Sequence, residues 1–134
     1  MELALLVALM ALVIHYPRKS GPAPIKRGFD RTPRIKVTFN DDYTEEMMLD
    51  TGASITTITQ AMAKTLKVKP IGERYFELAD GKIIKYPIGE VDSIEVGGAK
   101  LENVEVAIGG SALLGQNFFG DREVIIKSDV VEFH

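Results

Sequence analysis

From Ile35 onward the chain alternates between apolar and polar residues with the period of a strand rather than a helix. In Ile35-Lys36-Val37-Thr38-Phe39 every second residue is apolar, which gives one buried and one wet face. Asn40-Asp41-Asp42 supplies a turn, and the apolar run Met47-Met48-Leu49 predicts a buried strand with Asp50 at its tip. Ile55 and Ile58 continue a short strand. Thr59 is placed to cap a helix over Gln60–Leu66 that stops before Pro70, with Met62 and Leu66 four residues apart on its core face. Tyr75–Leu78 and Ile83–Tyr86 flank Asp80-Gly81, a two-residue turn of the kind that closes tight hairpins. Val91–Val96 and Val104–Ile108 form a second hairpin around Gly97-Gly98. Glu123–Ile126 and Val130–Phe133 form a last pair around Lys127-Ser128-Asp129. The pattern predicts an all-β domain over residues 34–134 with one short helix.

Ahead of it the pattern changes twice. Leu3 to Ile14 is an unbroken apolar run followed by Arg18, Lys19, Lys26 and Arg27. As a helix its twelve residues reach about 18 Å, short of the roughly 30 Å hydrocarbon core. Residues 1–16 therefore read as a short membrane anchor or signal. The basic flank places the domain on the cytoplasmic side; export to the periplasm or beyond, or an apolar helix packed on the protein itself, are the alternatives. Residues 17–33 hold Pro17, Pro22, Pro24 and Pro33 with Gly21 and Gly28 among basic residues. They read as a linker, because proline fixes φ and removes a backbone donor.

Composition narrows the chemistry. At 134 residues, 46% hydrophobic and 26% charged, this is one globular domain. Zero cysteines exclude disulfides and thiol catalysis, and with two histidines, one near each end, no metal site is expected. The net charge of -3 is uneven: residues 1–34 carry six Lys/Arg against two acids, so the remainder is strongly acidic. That argues against a nucleic-acid footprint.

Two stretches carry the candidate function. The first is Asp50-Thr51-Gly52-Ala53-Ser54 at the end of the buried strand. Gly52 lets a second backbone come close, and the hydroxyls of Thr51 and Ser54 can orient the carboxylate or tie down the loop. The second is Leu113-Leu114-Gly115, followed by Gln116-Asn117. Taken alone, Asp-Thr-Gly could be an ordinary turn. With the apolar strand before it, the helix and hairpin after it and Leu-Leu-Gly beyond, the chain from about Ile35 to the C-terminus resembles the retropepsin-like aspartic proteases.

That resemblance implies a closed β-barrel with a flap hairpin, assembled as a two-fold dimer around a substrate channel. It makes Asp50 catalytic and has Thr51 hydrogen-bond its partner loop, with Gly52 and Ala53 contacting substrate backbone. It places Ala79, Asp80, Gly81 and Lys82 at the flap, and seats Gly115 where a side chain would collide with the Asp-Thr-Gly backbone. Gln116 and Asn117 stand where retropepsins often have Arg with Asn or Asp. The chemistry needs two facing carboxylates that share a proton. A chain with one such loop obtains the second from another subunit, and no cofactor is implied. The expectation is a homodimeric endopeptidase for extended polypeptides, or a catalytically silent peptide-binding module of the same fold.

Overall fold

A computed structural model describes residues 21–27, 32–120 and 122–134. The apolar run Leu3–Ile14 lies outside them, and among the described residues no helix is long and apolar enough to cross a membrane. The chain is mostly β. In order it forms β1 (Ala23–Pro24), β2 (Lys26–Arg27), β3 (Pro33–Phe39), β4 (Tyr43–Leu49), β5 (Thr57–Thr59), α1 (Gln60–Leu66), β6 (Gly72–Glu77) and β7 (Ile83–Val96). There follow β8 (Ala99–Gly109), β9 (Leu113–Leu114), α2 (Gln116–Phe119), β10 (Val124–Ile126) and β11 (Val130–Phe133).

The alternation in β3 does what its period requires. Ile35, Val37 and Phe39 are buried, and they pack with Met47 and Leu49 of β4 in the main core. Asn40 and Asp41 turn the chain at positive φ, and the Asn40 side chain accepts from the N–H groups of Asp92 at 2.9 Å and Ser93 at 3.2 Å, tying this turn to β7. Thr59 caps α1 by accepting from Met62 N at 3.1 Å, and Met62 is buried while Leu66 packs at the core edge. The helix ends on Lys67 in the left-handed region, whose N–H reaches back to Lys64 O at 3.2 Å.

One eight-stranded sheet runs β2-β3-β4-β9-β5-β8-β7-β6, and two further pairs, Thr38↔Glu95 and Phe39↔Ile94, bring β7 back onto β3. A second sheet of three strands runs β1-β11-β10. The two strands expected at Ile83–Tyr86 and Val91–Val96 are one strand of 14 residues. Its first part pairs with β6 and its remainder with β8, and Ile88 touches both partners. A single long strand thus carries the expected flap and the core.

Three expectations are corrected. Residues 17–33 are not only a linker: Ala23 and Pro24 pair with Val131 and Val130, and Lys26 and Arg27 with Arg34 and Pro33. Proline density misleads because β1 and β2 are outermost strands of their sheets, where a missing N–H costs no ladder bond. Ala23 is buried in the core, and Ile25 N donates to Asp129 O at 2.8 Å. Gly97 makes room for this stretch, since a Cβ there would lie 2.6 Å from Gly21 O. The second correction is a second helix, α2, over Gln116–Phe119. The third is the hairpin tip, where the turn begins at Leu78, whose carbonyl accepts from Gly81 N at 2.9 Å, and Leu78 N donates to Lys82 O at 2.7 Å. The loop is therefore Ala79-Asp80-Gly81, with Gly81 at φ 84°, the three-residue closure that needs a left-handed last position.

Because β1 and β2 belong to the folded unit, a chain beginning at Gly21 should melt higher than one beginning at Arg34. The expected gap is roughly 10 °C, the effect of about 2 kcal/mol on a domain of this size. Equal melting temperatures would show that Ala23–Arg27 contributes no net stability.

Candidate active site

Leu49 is the last paired residue of β4, and β9 runs parallel beside it with Met48↔Leu113 and Leu49↔Leu114. Asp50 N donates to Leu114 O at 3.1 Å, so the carboxylate leaves the sheet where β9 still grips its backbone. The chain then folds over itself. Gly52 N donates to Asp50 Oδ1 at 3.0 Å, and Ala53 N to Asp50 O at 3.3 Å. The carboxylate is half-buried, with one oxygen oriented by the backbone. The hydroxyls of Thr51 and Ser54 make no hydrogen bond among the described residues, so the backbone amide does the orienting expected of them.

The residues after Leu-Leu-Gly hold this loop from beneath. Gln116 N donates to Ala53 O at 2.7 Å, and Gln116 Nε2 to Thr51 O at 2.6 Å. Asn117 bridges in the other direction. Its Oδ1 accepts from Thr56 N at 2.7 Å, and its Nδ2 donates to Glu105 O at 2.7 Å. The fully buried Thr56 completes the lattice by accepting from Gly115 N at 3.1 Å. A Cβ on Gly115 would sit 2.5 Å from Ile55 O and 2.9 Å from Thr56 N. The collision that demands glycine is therefore with Ile55-Thr56, which begins three residues beyond Gly52 and so beyond the stretch expected, because β9 lies between β4 and β5.

A groove of about 470 Å³ opens over the loop. Asp50, Gly52, Ala53 and Ser54 form one wall with Leu113, and Phe76, Glu77, Leu78 and Ala79 of the β6–β7 hairpin form the other. Of the expected flap residues only Ala79 lines it. Asp80, Gly81 and Lys82 lie farther out at the hairpin tip, where Lys82 N donates to Asp80 Oδ1 at 3.0 Å. Leu114 and Gly115 are buried behind the loop, and Thr51 is exposed but outside the groove. Sequence reasoning missed Ile55, Thr57, Phe76, Tyr86, Gly110 and Ser111, which also line the groove. The hairpin register held the signal for the aromatic pair. Phe76 pairs with Ile84 and Arg74 with Tyr86, so Phe76 and Tyr86 share one face, their rings 5.9 Å apart. Among the described residues no three His, Cys, Asp or Glu side chains converge as a metal site.

This lattice predicts that the loop fails before the fold does. Asn117→Ala leaves Thr56 N–H and Glu105 C=O without their partner and should cost about 2–4 kcal/mol at roughly 1–2 kcal/mol per orphaned group. Gly115→Ala should cost about 1–3 kcal/mol through overpacking and should shift the amide resonances of Ile55 and Thr56. A Gly115→Ala protein with unchanged melting temperature and resonances would contradict the backbone contact.

The same arrangement is found elsewhere. The model of the "gag-polyprotein putative aspartyl protease" family matches residues 35–121. A solved structure, a retropepsin-like aspartic protease from Rickettsia conorii, superposes with a TM-score of 0.64 at 24% identity, over 84% of this chain and 90% of that one. A search of curated proteins returns no match. The likeness in structure speaks for the fold, and the family match spans Asp50, the hairpin, Leu-Leu-Gly and α2 together. The chain belongs to the gag-polyprotein putative aspartyl protease family and has a retropepsin-like fold.

Proposed function

We propose that this protein is an aspartic endopeptidase that hydrolyses peptide bonds with two Asp50 carboxylates, one from each subunit of a homodimer. One observation carries the reading: Asp50 opens into a groove walled on its far side by a β-hairpin, with its carboxylate aimed by the Gly52 amide. An extended polypeptide fits such a groove. Two carboxylates in contact hold one proton between them, since like charges so close do not both ionise. The ionised one takes a proton from water as its oxygen attacks the peptide carbonyl, and the protonated one hydrogen-bonds the carbonyl oxygen as negative charge develops there. Collapse of the tetrahedral intermediate breaks the C–N bond, and the leaving nitrogen receives a proton from the dyad. Ala79 in the hairpin loop and the apolar pair Phe76 and Tyr86 hold the substrate over the loop. Within this proposal we take the pairing of β7 onto β3 as the seam of a closed barrel.

The subunit stoichiometry gives the test. Wild-type chains unfolded, mixed with an equal amount of Asp50→Asn chains and refolded should retain about one quarter of the all-wild-type activity per chain, because random pairing leaves a quarter of the dimers with two native loops. The Asp50→Asn protein alone should be folded and inactive. Retention of one half would place the second carboxylate within the chain, and full activity in Asp50→Asn would end the proteolytic reading.

We also propose membrane association through residues 3–14 with the domain on the cytoplasmic side, supported by the basic residues that follow the apolar run. The full chain should sediment with membranes and a chain beginning at Gly21 should not. Digestion of the domain by protease added outside intact cells would overturn the orientation.

A further inference from the structure

Positive charge is gathered at one end of this chain. Residues 15–36 carry seven Lys/Arg and one Asp, whereas residues 37–134 carry nine Lys/Arg and seventeen Asp/Glu. The fold keeps three of those cations together. Lys26 of β2 lies directly opposite Arg34 of β3, and Lys36 follows on the same face of β3, since side chains alternate along a strand. All three line a second groove, of about 520 Å³, between the β1–β2 stretch and the solvent face of β3 and β4. Like charges set opposite one another across a ladder repel. Glu46, opposite Lys36 in register, brings its carboxylate to Lys26 Nζ at 3.7 Å, and Glu95 is the other acid of the groove. Lys26 and Lys36 are exposed, so an anionic surface laid across this face meets both.

The chain itself points to which anionic surface that is. The apolar run ends at Ile14, seven peptide steps before Gly21, and seven steps reach at most about 25 Å fully extended. A run held in a bilayer therefore keeps β1 and β2 close to the headgroups, and these two strands border the cationic groove.

We propose, resting on the membrane association above, that this face of the domain docks on anionic lipid headgroups through Lys26, Arg34 and Lys36. Each Lys or Arg close to such a surface strengthens binding roughly fivefold. Glu46 and Glu95 offset part of that gain, so the face orients a chain already held by residues 3–14 and does not hold it unaided. The groove shares no lining residue with the one over Asp50. Docking therefore fixes how the domain stands on the bilayer without using any residue of the active-site groove.

The native chain has zero cysteines, so a single introduced cysteine carries a dye to one place. Thr44→Cys puts it in the groove, and Ala61→Cys puts it on α1, where residue 61 is exposed. The full chain is bound to phosphatidylcholine vesicles that contain phosphatidylserine and an energy acceptor on the headgroups. Transfer from Thr44→Cys should exceed transfer from Ala61→Cys, and the excess should vanish in pure phosphatidylcholine or at high salt, which screens exposed charges. Lys26→Gln combined with Lys36→Gln should lower the docked-to-free ratio roughly twentyfold, two such factors, at an unchanged melting temperature. Equal transfer from the two sites in phosphatidylserine vesicles overturns the docking surface and leaves the anchor standing. A chain that stays in solution with both lipids overturns the anchor and the docking together. A dye at Thr44→Cys that responds to added poly-glutamate and not to phosphatidylserine gives the groove to an acidic polypeptide and overturns the lipid assignment.

Discussion

The site depends on one place where backbone meets backbone without a side chain between them. Gly115 lies against Ile55-Thr56 so closely that a single methyl group would overlap the carbonyl of Ile55. That proximity lets β9 slide between β4 and β5, and only from there does Leu114 O reach Asp50 N and Gln116 reach Ala53 O. The carboxylate's position is thus set by a packing distance within the scaffold. The loop's own hydrogen bonds, such as Gly52 N to Asp50 Oδ1, refine an orientation already imposed from beneath.

Polar residues finish what the close approach begins. Thr56 is fully buried, and its hydroxyl and amide are both engaged, by Gly115 and Asn117. A buried polar network is worth having only when every member is satisfied, and Asn117 satisfies donor and acceptor together. Gln116 adds a neutral amide to the support of the loop. Its hydrogen bond to Thr51 O joins two uncharged groups.

Local signals in the sequence predicted local structure well. Thr59 preceding Gln60–Leu66 gave the helix and its cap, and alternation at Ile35–Phe39 gave both the strand and its buried face. The end of an apolar strand placed Asp50 in its turn. What escaped detection depended on residues far away. Ala23 and Pro24 are strands only because Val130 and Val131 lie beside them, and nothing near Pro24 announces a partner more than a hundred residues downstream. α2 has four residues, too few for a periodic pattern. Phe76 and Tyr86 looked like ordinary strand residues until register put them on one face. The loop details were transferred by resemblance, and there the substitution of a neighbour was subtle: glycine was required, but by Ile55-Thr56 instead of Asp-Thr-Gly.

The length of β7 gives the hairpin over the groove a mechanical character. Because the strand is continuous from Ile83 to Val96, the overhanging arm is a cantilever whose root is clamped in the sheet at Ile88, where β6 and β8 both bond to it. Just past the clamp, Gly89 leaves so little space that a Cβ would lie 2.3 Å from Val68, on the segment that follows α1. An arm rooted this way flexes by bending as a beam, its deflection greatest at Ala79–Lys82 and vanishing at Ile88. Tyr86 lies two residues from this clamp, whereas Phe76, opposite Ile84, lies close to the tip.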